Sequence, residues 1–113
     1  MRWKWQNAPP IILLDNAAEA VLEGGFESKI IFEITQTQSG YEYVVRNPYR
    51  YVPYEELESW FKYEKSSKGD NRGLGLYHLK TICAEWNCTI TYRNVEFDNL
   101  TWIEFKVRTD RNE

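Results

Sequence analysis

The sequence predicts an α+β domain: a two-layer α/β sandwich in which helices lie on one face of a mixed, mostly antiparallel sheet. Two pairs of alternating apolar runs read as hairpins, two stretches carry apolar residues at helical spacing, and these elements are interspersed along the chain. A chain of 113 residues has room for one core, and 42% hydrophobic with 27% charged residues lies near the globular average, which excludes disorder and coiled coil. Five Trp, eight Tyr and five Phe supply core mass, since each ring buries about 150–250 Å².

Pro9-Pro10 opens an apolar run through Ile11-Ile12-Leu13-Leu14, Ala17, Ala18 and Val21 to Gly24-Gly25, so residues 10–23 read as a helix with Pro at its start and Gly at its end. Ile30, Phe32 and Ile34 alternate with Glu33 and Thr35. After Gln38-Ser39-Gly40, Tyr41, Tyr43 and Val45 alternate again, giving a hairpin of residues 29–36 and 41–47. Periodicity then fails from Pro48 to Asn71, apart from a short helical patch at 54–63, and connections this long are usually functional or disordered. Leu76, Leu79, Ile82 with Cys83, and Trp86 define an amphipathic helix over 73–86. A second hairpin follows, Cys88-Ile90-Tyr92 and Ile103-Phe105-Val107, with a turn at Phe97-Asp98-Asn99. The outward set Glu33, Thr35, Glu42, Arg46, Thr89, Thr91 and Arg93 is polar enough to meet water.

The net charge of −3 argues against nonspecific binding to nucleic acid or anionic membrane, which needs a broad basic field. The N-terminus Met1-Arg2-Trp3-Lys4-Trp5 lacks the apolar core of a signal peptide, and no apolar stretch is long enough to span a bilayer, so a cytoplasmic domain is expected. Cys83 and Cys88, with the single distant His78, fit neither a zinc site nor a disulfide framework and read as reduced structural thiols.

Two motifs carry chemistry. Asp15, Asn16 and Glu19 interrupt the first helix within about one turn, and oxygen ligands of this kind suit Mg²⁺, although the solvent face of an amphipathic helix would look the same. Lys68-Gly69-Asp70-Asn71-Arg72-Gly73-Leu74-Gly75-Leu76 is a basic, glycine-rich turn leading into a helix, where backbone N–H groups approach an anion. It is neither of the standard phosphate-binding glycine patterns, and its plainer reading is a loop with a helix cap. Across 62–72, however, Lys62, Lys65, Lys68 and Arg72 stand against only Glu64 and Asp70, a local +2 that favours an anion.

Leu13-Leu14-Asp15-Asn16-Ala17-Ala18-Glu19-Ala20 resembles the N box, and Arg72-Gly73-Leu74-Gly75-Leu76-Tyr77 the G2 box, of the GHKL, or Bergerat-fold, ATP-binding superfamily shared by gyrase, MutL and sensor histidine kinases. The wording is similar to peptide-pheromone sensor kinases of the AgrC and ComD type, over roughly residues 10–108. The resemblance implies a single ATP-binding catalytic domain over 1–113, part of a longer kinase, with ATP and Mg²⁺ as ligands. It implies that Asn16 bridges Mg²⁺ to the phosphates, that Ala20 lines the nucleotide pocket, and that Arg72, Gly73, Leu74, Gly75 and Leu76 form the turn whose amides cradle phosphate. It also places Asn47 at the nucleotide site, makes 48–71 the ATP lid, and makes Ser67 and Lys68 lid contacts to phosphate.

No Asp-x-Gly-x-Gly follows Asn47, so the aspartate that would hold the adenine amino group is absent. Ile12 stands where gyrase, MutL and anti-sigma serine kinases place a glutamate. Isoleucine cannot act as a general base, which argues against an intrinsic ATPase or serine kinase. A histidine kinase suffers less, because a neutral imidazole is already nucleophilic. His78 has no dimerisation helix around it and reads as an ordinary helix residue, so the phosphoacceptor histidine helix and dimerisation domain are expected upstream and a response regulator downstream. The resemblance implies a strand before the N box, for which only residues 1–9, with Trp3 and Trp5, are available. The alternative is a catalytically inactive nucleotide-sensing or protein-interaction module of the same fold.

Overall fold

A computed structural model of the chain describes residues 8–25, 27–62 and 72–110, with the backbone alone described for 72–75 and 110. Trp3 and Trp5 lie outside the described residues.

Helix α1 spans Pro9–Gly24: the prolines occupy its first positions, where a missing N–H costs nothing, and it ends at Gly25 with φ of 70°. Leu13, Ala17 and Ala20, three to four residues apart, form its buried stripe. Strands β1 (Ile31–Gln36) and β2 (Gly40–Pro48) form the first hairpin, in which the Thr37 N–H donates to the Gly40 carbonyl at 2.8 Å. A short helix α2 covers Tyr54–Ser59 and α3 covers Arg72–Glu85. Strands β3 (Cys88–Phe97) and β4 (Leu100–Asp110) close on a two-residue turn in which Asp98 and Asn99 both have positive φ, 57° and 61°, as the right-handed twist of a tight hairpin favours. Both strands run longer than the alternating runs that signalled them.

The sheet order is β1-β2-β4-β3, and each described pairing is antiparallel. Register puts Val45, Phe105 and Tyr92 in one row, with Tyr43, Val107 and Ile90 in the next. These meet Leu13, Ala17, Leu76, Leu79 and Cys83 from the helices and Val52, Leu57 and Phe61 from the connection in one apolar core. Phe61 stacks on Tyr92 at 4.7 Å. The amphipathic reading of α3 holds for Leu76, Leu79 and Cys83, but Trp86 lies past the helix end and is 38% exposed.

On the other face Glu33, Thr35, Thr89, Thr91 and Arg93 are exposed, as a polar surface meeting water requires. The predicted outward residues do share this face, but Arg46 and Glu42 are half-buried, and the same face buries Glu104 and Trp102. Cross-strand register is the reason: Arg46, Glu104 and Arg93 are direct neighbours, and Glu104 accepts Arg46 Nε–H at 2.8 Å and Arg93 Nε–H at 2.9 Å. Trp102 is covered by Phe97, stacked at 4.5 Å, and donates its indole N–H to the Phe97 carbonyl. Long side chains of opposite charge, aligned across strands, thus roof over a carboxylate without a helix.

Candidate functional site

The three polar residues of the first helix do not share one environment. Asp15 and Glu19 are exposed, as on an ordinary solvent face, whereas Asn16 is half-buried. Its Oδ1 is buried and has no hydrogen-bond partner among the described residues. A buried carbonyl oxygen left in that state is costly, and the cost is removed by a cation or donor that binds there. A neutral hard oxygen is a suitable Mg²⁺ ligand, since Mg²⁺ takes one or two protein oxygens and completes its shell with phosphate and water. Among the described residues no three His, Cys, Asp or Glu gather into a metal cluster, so a Mg²⁺ at Asn16 would depend on phosphate oxygens for much of its charge balance.

Ala20, one turn further on, is 7% exposed, a small side chain in the α1 stripe. Arg72, Gly73, Leu74 and Gly75 form the first turn of α3 rather than a loop before it. There the backbone N–H groups have no partner within the helix and sit at the positive end of its dipole, the arrangement that takes phosphate. Leu76 follows at 1% exposure, its side chain in the core. Ser67 and Lys68, together with the rest of the basic stretch between Lys62 and Arg72, lie outside the described residues. α1 and α3 contact each other, and α1 also contacts β2, so the helix bearing Asn16 lies beside both the helix whose first turn holds the glycines and the strand that carries Asn47 near its end.

Asn47 is 1% exposed, and its Nδ2 donates to the Pro48 carbonyl at 3.0 Å. One donor of this amide therefore holds the chain where it leaves the sheet. Past that point the 49–53 segment is ordered by contacts that the sequence reading missed. Asn94 Oδ1 accepts the Val52 N–H at 2.9 Å, and Asn94 Nδ2 donates to the Val52 carbonyl at 2.7 Å. Arg50 forms a two-point ion pair with Glu56, which raises the guanidinium pKa further, and lies over the Tyr49 ring at 5.4 Å. The available signal for Asn94 was its place in the inward alternation Cys88-Ile90-Tyr92-Asn94, a polar residue at an apolar position.

His78 is exposed on α3 beside Tyr77, with 6.1 Å between ring centroids. Ile12 is half-buried and packs against the core, so the position that would carry a general base is occupied by hydrocarbon. No helix among the described residues is long and apolar enough to cross a membrane.

The domain is thus an α+β sheet with helices on one face, carrying on its first helix a buried asparagine oxygen with no partner among the described residues and on α3 a glycine-bearing first turn. The chain matches the GHKL domain family over residues 11–106 and belongs to it. GHKL domains bind ATP, usually with Mg²⁺, and are of the ATPase and kinase type. No curated protein matches the chain.

Proposed function

We propose that this chain is the catalytic ATP-binding domain of a two-component sensor histidine kinase, presenting Mg-ATP to a histidine on a separate dimerisation helix, with a response regulator receiving the phosphoryl group afterwards. The observation that carries the reading is the buried Asn16 Oδ1, without a partner among the described residues, on the N-box helix of a GHKL domain. Asn16 would hold Mg²⁺, and the first-turn amides of α3 would take phosphate oxygens. Bound Mg²⁺ supplies neutralisation of the charge that develops on the transferred group. The protein's own part is positioning, because Ile12 offers no base and an acceptor imidazole needs none. The similarity to AgrC- and ComD-type kinases supports the histidine-kinase choice over an ATPase, and it also supports a cytoplasmic domain of a membrane-anchored pheromone sensor that makes no contact with nucleic acid.

A second reading, an inactive nucleotide-sensing or protein-binding module, draws on the missing adenine aspartate after Asn47. The experiment is Mg²⁺-dependent phosphorylation of a supplied phosphoacceptor-helix dimer by wild type and Asn16→Ala. Transfer by wild type that disappears in Asn16→Ala supports the kinase. Saturable ATP binding with no transfer to any supplied acceptor supports the inactive module.

A further inference from the structure

We infer that Asn94 is a positioning residue for the nucleotide site: its carboxamide fixes residues 48–61 against the end of the sheet and so sets one wall of that site. The inference rests on the ATP-binding reading above.

Asn47 on β2 and Asn94 on β3 both pair with Ile103 on β4, so the two asparagines flank one buried isoleucine in a single row on the helix-covered face. Both amides are directed at the same piece of chain. Asn47 donates to the Pro48 carbonyl at 3.0 Å, and Asn94 takes the Val52 N–H at 2.9 Å while giving its own N–H to the Val52 carbonyl at 2.7 Å. Asn94 thereby supplies to Val52 the donor and acceptor that a neighbouring strand would supply, although residues 49–53 form no strand. The Tyr49 N–H, bonded to the Thr101 carbonyl at 2.9 Å, holds the near end of the same segment.

Hydrophobic burial does not achieve this placement by itself. Val52, Leu57 and Phe61 are all buried in the core, but apolar burial is non-directional and tolerates a slide of the segment along the sheet. Two hydrogen bonds of opposite sense to one residue tolerate none, since a slip of one residue leaves a buried amide group unpaired. From Val52 the constraint passes directly into α2: the Pro53 carbonyl accepts the Leu57 N–H at 3.0 Å, and Tyr54 stacks on Tyr92 at 6.0 Å. The segment fixed in this way begins at the end of β2, next to Asn47, which the GHKL resemblance implies is at the nucleotide site. Asn94 therefore acts on nucleotide through Val52 and not by touching it.

The test compares wild type with Asn94→Ala, Asn94→Asp and a control, Val107→Ala, which removes core volume from β4 away from this segment. Asn94→Asp keeps the acceptor for the Val52 N–H but turns a carboxylate oxygen toward the Val52 carbonyl, so it isolates the donor's part, and the unfolding midpoint of each variant shows that it folds. Affinity for a trinitrophenyl-ATP analogue with Mg²⁺ is measured well below each unfolding midpoint, alongside amide exchange at Val52 and Leu57. The expected result is about tenfold weaker binding in both Asn94 variants, faster exchange at both amides, and wild-type affinity in Val107→Ala. Asn94 variants that bind as wild type, or a Val107→Ala control that loses as much, overturn the positioning role. Wild type that fails to bind the analogue at millimolar concentration instead sinks the ATP-binding reading on which the inference rests.

Discussion

On the sheet face opposite the helices, Arg46 donates its Nε–H to Glu104 at 2.8 Å, and Glu104, though charged, is 2% exposed. Arg93 binds the other carboxylate oxygen at 2.9 Å, and Arg46 also reaches Glu33 at 3.5 Å. Deleting the central carboxylate leaves two guanidinium groups side by side without their shared partner. Glu104→Ala is expected to lower stability by about 2–4 kcal/mol, toward the lower part of the buried-pair range because the Arg93 side chain is largely exposed. Arg93→Ala is expected to cost about 1 kcal/mol or less for the same reason. Urea unfolding of the three proteins checks the order.

The same carboxylate sets an acid limit. Burial by itself raises the Glu104 pKa, but hydrogen bonds from Arg46 and Arg93 outweigh it and hold the group below its ordinary value of 4.5. A carboxylate with a folded-state pKa below its unfolded one stabilises fully above the unfolded value, and that stabilisation is lost as pH falls through the folded one. The stability gap between wild type and Glu104→Gln is therefore expected to be constant from pH 7 to about 5 and to shrink below pH 4.5. Urea midpoints across that range check it; a gap that widens in acid would contradict the assignment.

The element order and the inward residues were legible because alternation with period two and helical spacing report which side chains share a face. What alternation does not report is which residues become neighbours across strands. Glu104 and Arg46 are 58 positions apart, and only the β2–β4 register brings them together, so a face that reads as polar is partly buried. Asn94 was hidden for a related reason: its partner is a backbone amide 42 positions away, and backbone groups leave no mark in sequence. The nucleotide motifs were legible as wording, and the structure adds for Asn16 a buried oxygen with no partner among the described residues, which wording alone does not show.

Gly40 opens β2 opposite Asp110, and a Cβ built on it would lie 2.0 Å from the Thr109 carbonyl oxygen. That oxygen belongs to the backbone of the partner strand, so it cannot swing aside as a side chain would. Gly40→Ala is expected to destabilise by about 1–3 kcal/mol by forcing β2 and β4 apart at this end. The Tyr41 N–H, which donates to Thr109 Oγ1 at 3.1 Å, should then exchange faster, and denaturant unfolding with amide exchange reads both effects.

Cys83 is 3% exposed, and burial, with Cys88 beside it, pushes its thiol up to about 12. The thiolate is the reactive form, so at pH 8 the native Cys83 is almost wholly inert. Cys88, half-buried at the start of β3, is expected to react first with a thiol reagent, and Cys83 only as the chain unfolds. Mass spectrometry of fragments taken over a labelling time course distinguishes the two, and equal rates in the native protein would contradict this burial.

If Asn16 Oδ1 is a metal ligand, nucleotide and Mg²⁺ should stabilise the domain together and not separately. Ligand at 100-fold above its dissociation constant contributes about 2.7 kcal/mol, which for a chain of 113 residues raises Tm by roughly 10 °C. Wild type with ATP and Mg²⁺ is expected to show a rise of this order, and EDTA to remove most of it. Asn16→Ala loses the oxygen and should show a small rise that EDTA no longer changes. Its stability without ligand should match or exceed wild type, because the substitution removes a buried polar atom that has no partner among the described residues. That combination, a fold no weaker and a site that no longer responds to metal, separates a ligand-binding asparagine from a structural one. A variant that is both less stable and still metal-responsive would place Mg²⁺ elsewhere.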